Sequence, residues 1–169
     1  MFRTLLLILI SGTCYLNLSA QQAPPIPNTF DFWIGTWNTT MSVAPKWQEV
    51  SGRDSVSSLL GGTLIEEIFA KKTGNGTENF QRGYLNFIRR ENRWRHVIHD
   101  QNWGEYTFYG KQEGDKVILR SDKAETRQGM RRETFSEITK DSFEYLWEAS
   151  YDGGKTWRSE WKVSYKRVK

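Results

Sequence analysis

Between residues 142 and 166 the chain alternates with a period of two. Phe143, Tyr145, Trp147, Ala149 and Tyr151 share one parity, and Ser142, Glu144, Glu148 and Ser150 take the other, with Leu146 the exception. Trp157, Trp161, Val163 and Tyr165 then alternate with Thr156, Arg158, Glu160, Lys162 and Lys166. Successive side chains of an extended strand point to opposite faces, so this period specifies strands and excludes an amphipathic helix.

The rest of the chain is punctuated in the same rhythm. Turn residues stand at Ala44-Pro45, Gly61-Gly62, Thr73 to Gly76, Glu91-Asn92, Asn102 to Gly104, Glu113 to Asp115, Lys140-Asp141 and Asp152 to Gly154. Between them the pattern predicts ten strands, over 36–43, 48–58, 63–70, 79–89, 93–100, 105–110, 116–121, 129–138, 142–151 and 156–166. The one helix expected is a turn or two around Asn28 to Ile34, capped by Asn28, with Phe30, Trp33 and Ile34 inward. A long meander has two edges to satisfy, and closure into an up-and-down antiparallel barrel satisfies both. The expected fold class is therefore all-β.

The N-terminus predicts the compartment. Arg3 precedes an apolar run from Leu5 to Ile10, and small and polar residues follow as far as Leu18-Ser19-Ala20. That is the layout of a signal peptide over 1–20, cleaved after Ala20, and the run is too short for a membrane span. The expected location is the periplasm or the exterior. Cys14 offers the alternative of lipoprotein anchoring. Gln21 to Pro27 carries three prolines and reads as an extended tether, leaving 28–169 as one domain. Cys14 is the only cysteine, so the domain has no disulfide and is held by packing. The formal net charge of +4 is small, and acidic and basic residues are interspersed, which argues against nucleic acid as a partner. Asn38-Thr39-Thr40 and Asn75-Gly76-Thr77 are glycosylation acceptors only in a eukaryotic source.

Phe30-Asp31-Phe32-Trp33-Ile34-Gly35-Thr36-Trp37 resembles the start of the calycin superfamily, the lipocalins and their relatives, in which a short helix precedes Gly-x-Trp on the first strand. Together with Ser150 to Trp157 it is similar to a family of exported bacterial lipocalin-like domains without an assigned activity. The resemblance implies a calycin-like barrel with Gly35 and Trp37 as structural residues. It also implies that Trp37 packs across the closed end under a basic residue of the last strand, Lys166 or Arg167. Relatives that bind haem through an axial histidine begin with a glycine-rich strand, and Asn38-Thr39-Thr40 stands in its place here. No cofactor is expected.

Ser150 to Trp157 also fits the Asp-box pattern of sialidase-type propellers, in a single copy. Its physical content is a hairpin, with Asp152 bonding the turn backbone, Gly153 and Gly154 at positive φ, and Trp157 covering it. A structural role is expected for Asp152 and Trp157.

Chemistry is harder to place. His96 and His99 are three apart on a strand, so they face opposite ways and cannot share a metal. His96 and Asp100 share a face but stand about 13 Å apart along it. Glu66, Glu67, Arg82, Tyr84 and Arg132 are further polar candidates, and no nucleophile elbow, phosphate loop or zinc helix is present. No catalytic residue is assigned. Phe80, Arg82, Tyr84, Asn86 and Ile88 share one face of their strand, and Trp94, His96, Ile98 and Asp100 share one face of the next. If both face inward, the lumen is aromatic with a few polar groups, as ligand pockets are. The opposite parity, Gly83, Leu85 and Phe87 with Val97, gives a greasier interior and puts Arg82 in water. The expected ligand-binding set is Arg82, Tyr84, Trp94, His96, Tyr106, Phe108, Tyr145 and Trp147, around a small apolar or aromatic molecule. The alternatives are an enzyme in the same cavity and a glycan- or protein-interaction module carrying exposed tryptophans.

Overall fold

The computed structural model describes residues 25–102, 104–121 and 129–169. The expected signal peptide, Cys14 and the first part of the tether lie outside them. Ten antiparallel strands close a barrel: β1 (Gly35–Val43), β2 (Gln48–Leu59), β3 (Leu64–Thr73), β4 (Gly76–Ile88), β5 (Arg93–Asp100), β6 (Glu105–Glu113), β7 (Lys116–Arg120), β8 (Met130–Ser136), β9 (Ser142–Ser150) and β10 (Arg158–Arg167). Each strand pairs with its neighbours in sequence, and β1 pairs with β10. This is the lipocalin-like, up-and-down architecture that the period-two pattern predicts, and it leaves no sheet edge open.

The expected helix is shorter than its sequence suggests. It is a single 3₁₀ turn, Asp31–Trp33, with Phe30 at its N-terminal flank and no side-chain cap, so Asn28 does not cap it. Asn28 instead accepts the Asp31 N–H through its backbone carbonyl. Tertiary packing holds the turn. Phe30 and Trp33 are buried, and Trp37 Nε1 donates to the Trp33 carbonyl at 2.8 Å.

Arg167 fastens this plug to the last strand. Its guanidinium lies 4.0 Å from the Trp37 ring centre, and Nη1, Nη2 and Nε donate to the carbonyls of Ile34, Phe32 and Lys140 at 2.9, 2.8 and 2.7 Å. Of the two basic residues that the resemblance offered, Arg167 takes the place over the tryptophan, and Lys166 points to solvent. Gly35 makes room for it. At φ +134° it adopts a backbone that side-chain-bearing residues avoid, and a Cβ there would sit 2.5 Å from Arg167 Nη1.

One expected face is corrected by the register. Gly83 pairs with Ile98 and Leu85 with His96, so the inward face of β4 is Gly83, Leu85 and Phe87, matched to Trp94, His96 and Ile98 on β5. Arg82 and Tyr84 stand outside and meet Glu66, the first at 3.6 Å and the second through its hydroxyl at 3.1 Å. Phe80 made their parity look apolar. A β-bulge explains its position: Phe69 pairs with Gln81 and Ala70 with Asn79, so Phe80 is the extra residue and turns inward beside Gln81.

Replacing Arg167 by Ala removes three charge-assisted hydrogen bonds and a cation–π contact, at an expected cost of about 2–4 kcal/mol. Arg167→Lys should recover less than half of that, because an ammonium cannot span three carbonyls in a fork. Urea unfolding of the two variants checks it, and a wild-type midpoint for Arg167→Lys would contradict this account of the plug.

Candidate functional site

The lower interior is filled by rings. Phe30 meets Phe135 and Trp37 meets Phe143 edge to face, Trp33 lies tilted on Phe135, and Phe143 stacks on Tyr165 with centroids 4.1 Å apart. Above them lies a group of buried ionisable side chains contributed by four strands: Asp54 from β2, Glu67 from β3, His96 from β5 and Glu133 from β8, each no more than 2% exposed. His96 Nδ1 is 3.0 Å from Glu133 Oε2, and the Tyr145 hydroxyl donates to Glu133 Oε1 at 2.9 Å. His96 Nε2 lies 3.6 Å from Glu67 Oε2, too long for a hydrogen bond but close enough for strong attraction. Gln81 Nε2 donates to the same Glu67 oxygen at 3.0 Å, and Trp33 Nε1 donates to Asp54 Oδ2 at 3.1 Å. Gly83 permits this crowding, since a Cβ there would fall 2.5 Å from Glu67 Oε2 and 2.6 Å from His96 Nε2.

Two buried polar atoms of the group, Asp54 Oδ1 and His96 Nε2, have no hydrogen-bond partner. Such atoms are costly in a protein interior. Burial pushes the Asp54 carboxyl well above the usual carboxylate range, and the neighbouring Glu67 pushes it further. Burial works against a charge on His96, yet Glu133, with help from Glu67, raises its pKa to about 10. Burial, and then the surrounding acids, raise the Tyr145 and Tyr165 hydroxyls. The imidazole sits between the two glutamates. Among the described residues no His, Cys, Asp or Glu group is arranged to hold a metal ion.

Next to this group the barrel keeps a small chamber of about 20 Å³. Glu67, Gln81, Tyr145 and Tyr165 supply its polar atoms, and Met41, Phe69, Phe80, Trp161 and Val163 complete its wall. Phe80 and Trp161 meet across it, with rings 6.3 Å apart at 62°. Both are positioned by irregular pairing. Phe80 is the bulge residue of β4, and the β10–β9 register shifts between Ser159 and Trp161. Bulges re-aim side chains at barrel rims and beside sites. Each ring also borders an outer hollow: Trp161 one of about 350 Å³ with Ala44, Pro45 and Arg158, and Phe80 one of about 180 Å³ with Ile68, Arg82 and His99.

Of the residues expected to line the lumen, Trp94, His96, Phe108, Tyr145 and Trp147 are buried inside, and Tyr106 packs its ring against Trp147 at 5.0 Å. Among these only Tyr145 borders the chamber. Arg82 and Tyr84 do not enter the lumen. His99 is exposed, and Asp100 accepts the backbone N–H groups of Asn102 and Gly104, which ties it to its turn. The Asp152 carboxylate accepts from the Thr156 hydroxyl and backbone, the Ser150 hydroxyl and the Lys155 backbone, which together hold its pKa down at about 2. Trp157 Nε1 closes the same hairpin on the Gly154 carbonyl at 3.1 Å, under Arg132. Among the described residues Trp47 is the one exposed tryptophan, set against Lys162, and no tryptophan patch forms outside.

The sequence alone does not single out Asp54, Glu133, Trp161 or Tyr165 as site residues. A signal for the acids was present in parity. Asp54 falls in step with Val50 and Val56, Glu67 with Ile65 and Phe69, and Glu133 with Phe135. An acid in the apolar register of a strand is either inside or out of place.

No protein-family model and no curated protein matches the chain. Among solved structures it is similar to the S-type phycobiliprotein lyase CPES from Guillardia theta, with a TM-score of 0.57 and 13% identity over 83% of this chain and 90% of that one. The redesigned β-barrel mFAP0 bound to DFHBI aligns at a TM-score of 0.45 and 12% identity over 80% of this chain and 99% of its own. A second redesigned barrel, b11L5F_LGL, aligns at 0.47 and 12% over 84% and 96%. At these identities the likeness to the lyase is one of fold.

The His96 proton is held more tightly in the folded barrel than in the unfolded chain, where its pKa is 6.5. Its contribution to stability is complete below pH 6.5 and is lost as pH climbs toward about 10. Asp54 acts in the same direction from lower pH. The free energy of unfolding should therefore fall by a few kcal/mol between pH 7 and about 10, with a limiting slope of about 1.4 kcal/mol for each pH unit. His96→Gln should flatten that slope. Urea unfolding across this range checks it, and a wild-type stability that is level or rising would contradict the assignment.

Proposed function

We propose that the protein is an exported barrel, periplasmic or secreted, that holds a small apolar or aromatic molecule in the chamber beneath Phe80 and Trp161. One observation carries this reading: two bulges on different strands, β4 and β10, aim two aromatic rings over a chamber whose floor keeps a buried carboxylate. Packing alone does not call for that arrangement. An apolar residue at Glu67 would fill the barrel at lower cost, since burying a charged group is repaid only when it is fully partnered.

As it stands the chamber holds about one water, whereas drug-sized pockets run to several hundred Å³. The rings supply the difference. Phe80 and Trp161 are half-buried and border the outer hollows, so swinging either ring outward joins the chamber to a larger space. The rings of Phe69 and Tyr145 would then contact the ligand, with Gln81 and Glu67 as its polar partners. A catalytic reading of the same interior has His96 and two glutamates converging, but His96 is not in the chamber wall and Arg82 is outside the barrel. Export rests on the pattern of residues 1–20, and cleavage would leave Gln21 as the N-terminus.

Native mass spectrometry of the protein purified from its own host tests both parts. The expected spectrum shows residues 21–169 with a non-covalent adduct of a few hundred daltons that collisional activation removes. A bare mass across preparations would overturn the binding reading, and a chain retaining residues 1–20 or acylated at Cys14 would overturn free export.

A further inference from the structure

The chemistry of the chamber goes further than its shape. Three acids, Asp54, Glu67 and Glu133, surround a single basic group, His96, and all four are shielded from water. Even with Asp54 drawn toward its neutral form, Glu67 and Glu133 outnumber the one basic group in a region of low dielectric. Of the three, Glu67 is the one that borders the chamber, and no lysine, arginine or histidine does. A carboxylate offers about four acceptor positions. Among the described side chains only the Gln81 amide reaches Glu67 within hydrogen-bond distance, and His96 Nε2 stays 3.6 Å away. Aromatic rings make up most of the rest of the wall, with Phe69, Phe80, Tyr145, Trp161 and Tyr165 beside Met41 and Val163. Aromatic faces attract cations, tryptophan most strongly, and repel anions.

A carboxylate with unused acceptors at the base of an aromatic cage is complementary to an organic ammonium ion. Resting on the reading of the chamber as a ligand site, we infer that the occupant carries a protonated amine on its small apolar or aromatic body. The N–H groups are directed to Glu67 and the cationic carbon atoms lie against Phe69 and Tyr145, the rings that stay in the wall when Phe80 or Trp161 swings outward. Anionic ligands such as fatty acids are disfavoured, because they would place a carboxylate against Glu67 in a wall that no lysine, arginine or histidine borders, Lys71 lying over the Phe80 ring without lining the chamber.

Three probes of nearly equal size separate charge from shape: 2-phenylethylamine, 2-phenylethanol and 3-phenylpropanoate, titrated into the protein lacking residues 1–20 at pH 7. Calorimetry and tryptophan emission give the affinities. The ammonium probe should bind at least tenfold more tightly than the alcohol, with the carboxylate weakest, and Glu67→Gln should reduce the preference for amine over alcohol to less than threefold. Should Glu67→Gln fail to fold, the wild-type order of the three probes decides alone. Equal affinities, or a preference for the carboxylate, would overturn the inference about charge and leave the chamber as a ligand site. Binding of none of the three would overturn the charge inference, and together with a bare native mass it would overturn the ligand site as well.

Discussion

Closure of the sheet rests on one seam, where β1 and β10 pair from Trp37 against Arg167 to Val43 against Trp161. Every interior contact depends on it, because the acids and the imidazole come from strands spread around the circumference and meet only when the ring is shut. Arg167 stabilises the seam at its lower end by lying over Trp37 and tying down the carbonyls of the entering chain. Trp161 marks its upper end, where the same strand shifts register and turns a ring over the chamber. A single strand thus fastens the plug and supplies half of the cover.

The interior is divided along the barrel axis by chemistry. Below, interlocking rings fill the space as a small barrel core requires. Higher up, the protein accepts buried charge, a glycine in place of a packing residue at Gly83 and, within the acid–imidazole group, Asp54 Oδ1 and His96 Nε2 without partners. Replacing such a group by well-packed apolar residues is often neutral or stabilising. Its retention beside a chamber with aromatic cover is the physical basis for placing function there. The plug and the polar group are also in contact, since Trp33 donates to Asp54 and lies edge-on to His96. A change in the charge of the acids is therefore felt directly by the segment that closes the barrel.

Strand positions were legible because period two and turn chemistry act locally. The ten predicted segments match the ten observed strands to within a few residues. The N-terminal turn was overestimated because a capping residue and an apolar stripe suit a longer helix, whereas the barrel end has room for one 3₁₀ turn. Which face of β4 looks inward was not legible, since Phe80 lent its apolar character to the parity of Arg82 and Tyr84. A bulge, invisible without the partner strand, is what moves Phe80 across. On β5, Trp94, His96 and Ile98 lacked any such irregularity and turned inward as one set. Asp54 and Glu133 carried only a parity signal, which is weak because solvated acids are the rule, and the assembled barrel is what shows both fully buried.

The central claim is that the chamber opens to small molecules without unfolding of the barrel. A protein beginning at Gln21 has no cysteine, so single thiols can be placed at will. Val163→Cys puts one in the chamber wall, and Leu119→Cys puts one in the packed interior away from it. The decisive measurement is the rate at which a small thiol reagent labels each variant in native buffer. If the chamber opens, the thiol at position 163 reacts orders of magnitude faster than global unfolding, with a rate independent of low denaturant, while the thiol at position 119 reacts only as fast as the chain unfolds. Labelling of both at the unfolding rate would contradict the claim.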